Sequence, residues 1–172
     1  MRFIALFFVL LFISGCSTRG NPAYHKQPEQ DVVPKVSKTI EPSFESKEKN
    51  WITKALYKEY KKWHRTPYKY GGIDARGIDC SSLIQNVYKD AFGIDLPRTT
   101  REQVKRGYKV NRSSAKEGDI IFFKTGYNVR HAGIIVERGK FMHASEKFGV
   151  IISDLYNPYW KNRYWQTRRI LP

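Results

Sequence analysis

Cysteine is scarce in this chain of 172 residues, which holds two, Cys16 and Cys80. Negative charge is scarce too: 16 Asp and Glu stand against 31 Lys and Arg, a formal net charge of +15. So basic a surface suits an anionic partner: nucleic acid, phospholipid headgroups or a carboxylate-bearing polymer. No apolar run reaches the ~20 residues that cross a bilayer as a helix. No stretch recurs at the roughly 20–50-residue period of a repeat array. There is no HExxH and no paired-carboxylate pattern, so nothing in the sequence announces a metal site.

What is present begins with an export signal. Met1-Arg2 leads into an apolar run from Phe3 to Ile13, then Ser14-Gly15-Cys16. A basic start, a short apolar stretch and small residues form a secretory signal, which argues against nucleic acid as the partner. Ile13-Ser14-Gly15-Cys16 resembles the lipobox of bacterial lipoproteins. That resemblance implies cleavage after residue 15 and lipid on Cys16, hence a membrane anchor. In such lipoproteins an aspartate after the cysteine favours inner-membrane retention; here it is Ser17, so the periplasmic face of the outer membrane is expected. If Cys16 carries lipid, Cys80 has no partner within the chain, and a lone thiol outside the cytoplasm is a liability unless used or buried.

Residues 16–47 are polar and interrupted by Pro22, Pro28, Pro34 and Pro42, the composition of a flexible tether. Residues 48–172 are expected to form one domain. Its first helix presents Trp51, Ala55, Leu56, Tyr60 and Trp63 on one face and ends before Thr66-Pro67. Tyr68 to Gly72 reads as an extended piece and a turn. A second helix opens at Cys80, carries Leu83, Ile84, Val87, Tyr88 and Ala91 at helical spacing, and stops at Gly93. A short helix follows, with Thr100 and Gln103 at capping-box spacing. Strands are expected over 120–123, 131–136, 140–145, 149–153 and 163–170. Helices first and an antiparallel sheet of five to six strands second is an α+β layout.

Chemistry centres on Gly77-Ile78-Asp79-Cys80-Ser81. Asp79 is a favourable N-cap, which puts Cys80 in the first helical turn, where the dipole and free N–H groups favour a thiolate. A buried structural cysteine is the plainer reading unless a base is found. The chain has four histidines. His25 lies in the tether, and His64 suits a helix end. His131 and His143 lie on neighbouring strands. If Glu137-Arg138-Gly139 forms a three-residue loop, Val136 opposes Lys140, His143 opposes Gly133, and the imidazoles share one face. A two-residue loop would turn them to opposite faces. Sharing a face, His131 serves as base to Cys80 and His143 orients it. A metal held by Cys80, His131 and His143 is the weaker alternative.

These residues in this order resemble the NlpC family of bacterial cell-wall cysteine peptidases, which have a compact papain-like fold. The matching segments are Pro67–Gly72, Gly77–Ser81, Leu96–Thr99, Gly118–Phe123, Arg130–Ile134 and Phe141–Ser145, closed by Pro158-Tyr159-Trp160 and Arg168-Arg169-Ile170. The resemblance implies hydrolysis of peptidoglycan stem peptides or cross-links by an acyl-enzyme on Cys80, without cofactor or metal; the sequence leaves the oligomeric state open, with a monomer expected. It implies a Tyr68 hydroxyl near the oxyanion, and it makes Arg98 and Arg130 candidates for binding substrate carboxylates. Many members have glycine where this chain has Ser82. Two other classes stay open: a non-catalytic wall-binding lipoprotein on the same fold, and a thiol amidase or acyltransferase.

Overall fold

The computed structural model describes residues 44–172, with side chains from Trp51 onward. The proposed signal, Cys16 and most of the proposed tether lie outside the described residues.

Helix α1 spans Phe44–Trp63. Its buried stripe is Ile52, Leu56, Glu59 and Trp63, so it is rotated from the expected face, and Trp51 stays 49% exposed. The i, i+4, i+7, i+11 spacing of the buried set decides this, because an apolar ring on the shoulder of the stripe need not be covered. Two short strands follow, β1 (Ile73–Asp74) and β2 (Gly77–Ile78), paired antiparallel. Helix α2 spans Cys80–Phe92. The Asp79 carboxylate accepts from the Ser82 N–H at its start, and Gly93 takes the left-handed conformation at its end (φ 67°). In α3 (Thr100–Gln103) the cap is Thr99, whose side chain meets Glu102, one residue earlier than the expected Thr100–Gln103 pair.

The remaining strands are β3 (Tyr108–Val110), β4 (Ile120–Gly126), β5 (Val129–Glu137), β6 (Lys140–Ser145), β7 (Gly149–Asp154) and β8 (Tyr164–Arg169). They form one sheet in the order β3-β8-β4-β5-β6-β7, and all its pairs are antiparallel. This is the α+β architecture expected, with β3 as a sixth strand.

Alternation sorts the side chains of the sheet into two layers. Ile120, Phe122, Ala132, Ile134, Val136, Met142 and Val150 pack against Leu56 of α1 and Leu83, Ile84 and Val87 of α2. Ile121, Phe123, Ile135, Phe141 and Leu155 make a second cluster on the other face. Helix α4 (Pro158–Arg163), capped by Asn157, lays Trp160 over that cluster. Central β5 is therefore apolar on both sides, which is why 132–136 reads as an unbroken run.

The β5–β6 turn differs in detail from expectation. Glu137 pairs with Lys140, leaving Arg138-Gly139 as the loop, and the register shifts between Ile135 and Glu137. Val136 is the extra residue of a bulge. It restores the register that a two-residue loop alone would have reversed: Ile134 faces Met142, which sets Gly133 against His143.

Candidate active site

Three elements carry the sequence-selected residues: α2 bears Cys80, β5 bears His131 and β6 bears His143. Cys80 is the first residue of α2 and is 7% exposed. Below it, the Asp79 carboxylate is held on every side. Oδ1 accepts from Ser82 N at 2.8 Å, Ser81 Oγ at 2.9 Å and Arg98 Nη1 at 3.1 Å; Oδ2 accepts from Arg98 Nη2 at 2.6 Å and Gly71 N at 3.2 Å. Burial alone would raise the Asp79 pKa. The Arg98 bridge, the Ser82 N–H and the Ser81 hydroxyl outweigh it and keep the carboxyl below its usual range.

His131 of β5 and His143 of β6 lie on the same face, one pleat apart, with His131 Nε2 2.9 Å from His143 Nδ1. His143 Nε2 in turn lies 2.8 Å from Ser153 Oγ on β7. Trp160 stacks on His131 (5.3 Å between centroids, 25°) and sets its edge against His143 at 5.0 Å. Phe141 stacks on His143 at 4.8 Å. Gly133 makes room for this: a Cβ there would sit 2.6 Å from Phe141 Cδ2, 2.7 Å from the Met142 carbonyl oxygen and 3.2 Å from His143 Cβ.

The sulfur meets β5 beside the residue that follows His131. The Ala132 N–H, on the peptide that follows His131, lies against the Cys80 sulfur, with the N–H groups of Ser81 and Cys80 itself nearby, and all three favour its charged form. With His131 Nε2 engaged by His143, Nδ1 is the ring nitrogen left open. Charge is nonetheless costly here. Burial pushes the thiol up to about 11 despite those three N–H groups, and the neighbouring Asp79 charge adds to the rise. Burial takes His131 down to about 4 and His143 well below its usual 6.5. The resting pair is a neutral thiol and a neutral imidazole, not the thiolate expected from the helix terminus alone. Desolvation wins over the dipole.

Residues 65–169 match the model of the NlpC/P60 family. The chain belongs to the NlpC/P60 family. It is 37% identical to murein DD-endopeptidase MepS/murein LD-carboxypeptidase of Escherichia coli K12, over 99% of this chain and 93% of that protein. It is 36% identical to the probable endopeptidase NlpC of the same organism, over 99% of this chain and all of that one. A lipoprotein-like NLP/P60 structure from Staphylococcus aureus Mu50 superposes with TM-score 0.63 at 34% identity, covering 70% of this chain and 42% of that one.

The other NlpC/P60 positions singled out in the sequence fall in different places. Tyr68 is bridged to Ile78, two residues before Cys80. Burial, followed by the nearness of Cys80, raises its phenol to about 12, so it remains an O–H donor. Arg98 is not a free cation waiting for substrate: its guanidinium is committed to Asp79 and Ser81. That is a correction, since its partner lies 19 residues away and only the tertiary fold reveals the pair. Arg130 stands over the Trp165 ring at 5.1 Å. His64 packs on Tyr60 and takes no part. Ser82, where many members have glycine, is 1% exposed with a hydroxyl that finds no partner. Ser153 and Trp160 were not selected as site residues. Trp160 sat in a matched segment, whereas nothing in the sequence marked Ser153. A cavity of about 840 Å³ lined by Arg112, Lys116, Arg138, Leu155 and Tyr156 includes none of the site residues. Among the described residues no cluster of His, Cys, Asp and Glu is arranged to hold a metal.

Proposed function

We propose that this chain is a cysteine endopeptidase that hydrolyses peptide bonds of peptidoglycan stem peptides or their cross-links. The observation that carries it is the Cys80–His131–His143 constellation in a chain whose near-full-length relatives are named murein peptidases. In this reading Cys80 gives its proton to His131 Nδ1 as sulfur attacks the scissile carbonyl carbon. The oxyanion is received by the Cys80 N–H, which has no intrahelical acceptor, and by the Tyr68 hydroxyl. The C–N bond then breaks, and His131 returns the proton to the leaving amine. Water, deprotonated by His131, hydrolyses the thioester and frees the thiol. His143 holds His131 in the tautomer with Nδ1 open when the Ser153 oxygen accepts from His143 Nε2, making His143 Nδ1 the acceptor for His131 Nε2–H.

Incubating the full chain with purified wall fragments and identifying new termini by mass spectrometry tests the activity and names the bond. Cys80→Ala should abolish the new termini. Unchanged breakdown by that variant would leave a wall-binding protein, and transfer of the acyl group to an amine instead of water would make it an acyltransferase.

We read Cys16 further as the site of a lipid that anchors the protein to the outer membrane, supported by the apolar run and small residues before it. One chain supplies every group named, so a monomer suffices. Cys16→Ala should move the protein from the outer-membrane fraction to the soluble one; an unchanged membrane distribution would refute the anchor.

A further inference from the structure

Lys124 of β4 and Arg130 of β5 are directly opposed in the sheet. Like charges in that relation destabilise a strand pair. Neither cation joins an ion pair among the described residues; Arg130 makes one local bond, Nη1 to the Val129 carbonyl at 3.3 Å. Both sit over the indole of Trp165 in adjacent β8, Lys124 Nζ at 5.3 Å and the Arg130 guanidinium carbon at 5.1 Å from its centroid. An aromatic face attracts each cation but does not neutralise either. A local arrangement that costs stability and has no acid to offset it is what a binding site looks like without its ligand.

Position says which ligand. By alternation along β5, Arg130 points to the same side of the sheet as Ala132, whose N–H meets the Cys80 sulfur. Two residues along a strand span about 7 Å, the length of two residues of an extended peptide. We propose that Lys124 and Arg130, carried on Trp165, form a subsite for a free carboxylate of the substrate peptide about two residues from the scissile bond. A guanidinium fork and an ammonium side by side complement the two oxygens of a carboxylate. The proposal rests on the peptidase reading above.

The test uses the full chain and two soluble disaccharide stem peptides, one with free side carboxylates and one with those carboxylates amidated. The unaltered protein should cleave the free acid with at least about tenfold higher kcat/KM, the scale of one charge-assisted hydrogen bond. Lys124→Gln/Arg130→Gln should erase that preference, bringing the two kcat/KM values to about the same level, and keep an equal or higher melting temperature. A double variant that retains the preference, or that loses both activities alike, overturns the subsite. If the unaltered protein cleaves neither peptide, the peptidase reading fails by itself, and calorimetry with the Cys80→Ala protein still judges the subsite. Tighter binding of the free acid, lost on adding the Gln pair, supports it; equal binding of both peptides overturns it.

Discussion

Ser153 shows how far a single hydroxyl reaches. It lies one cross-strand diagonal from His143 and closes a line that runs through His143 Nδ1 to His131 Nε2. Ser153→Ala leaves a nitrogen of a buried imidazole without a partner, at a cost of about 1–3 kcal/mol. It also frees His143 to adopt the tautomer that puts a proton on the wrong side of His131. Turnover should fall at least about tenfold with KM little changed, read by steady-state kinetics on the stem peptide, and Ser153→Thr should restore much of it. Equal kcat in the Ala variant would remove Ser153 from the line. Serine is unremarkable in a strand, and its partner is set by the β6–β7 register, so no reading of the sequence would have chosen it. Cys80, by contrast, was legible from its neighbours, because Asp79 before it and an amphipathic run after it specify a helix start.

At the scale of elements, the site depends on three antiparallel strands held in one register. Gly133 is the sensitive point, since a methyl group there meets the Met142 carbonyl oxygen, a backbone atom that cannot swing aside. Gly133→Ala should destabilise the protein by about 1–3 kcal/mol in urea unfolding and displace the His143 ring, seen as changed imidazole resonances in NMR. The start of α2 depends on Arg98 in the same way. Lysine there cannot make the paired bonds to Asp79, so Arg98→Lys should lower stability by about 1 kcal/mol and reduce kcat; an unchanged melting curve would show the bridge to be idle. Strand positions were readable because apolar residues recur with period two and turns carry glycine. The Val136 bulge was not, since a three-residue loop and a two-residue loop with a bulge place every later side chain on the same face. The α1 face was misjudged at Trp51 because hydrophobicity marks a side chain that can be buried, not one that is.

Across the whole molecule, the two imidazoles make stability depend on pH. An unfolded chain protonates His131 near 6.5, whereas the folded one resists until about 4. Between those values the unfolded state holds the extra proton, so stability falls as pH falls, by roughly 3 kcal/mol at most for this one group. His143 is shifted the same way. Asp79 adds little in that window, because most of its loss falls below the usual carboxyl value of 3.8. Urea midpoints should drop from pH 7 to pH 4.5, and His131→Gln should flatten the slope; a parallel slope in the variant would assign the acid sensitivity elsewhere. The overall layout was visible in the order of helical and strand patterns. The balance of burial against the helix dipole was not, since it depends on how deeply the packed layers enclose the thiol.

That enclosure has a consequence for the protein at rest. A sulfur that is protonated at neutral pH and covered on nearly every side offers peroxide or iodoacetamide very little thiolate. Cys80 should therefore survive long exposure to electrophiles in bulk water and become vulnerable only while a carbonyl is seated beside it. Such a reagent would then record occupancy of the cleft.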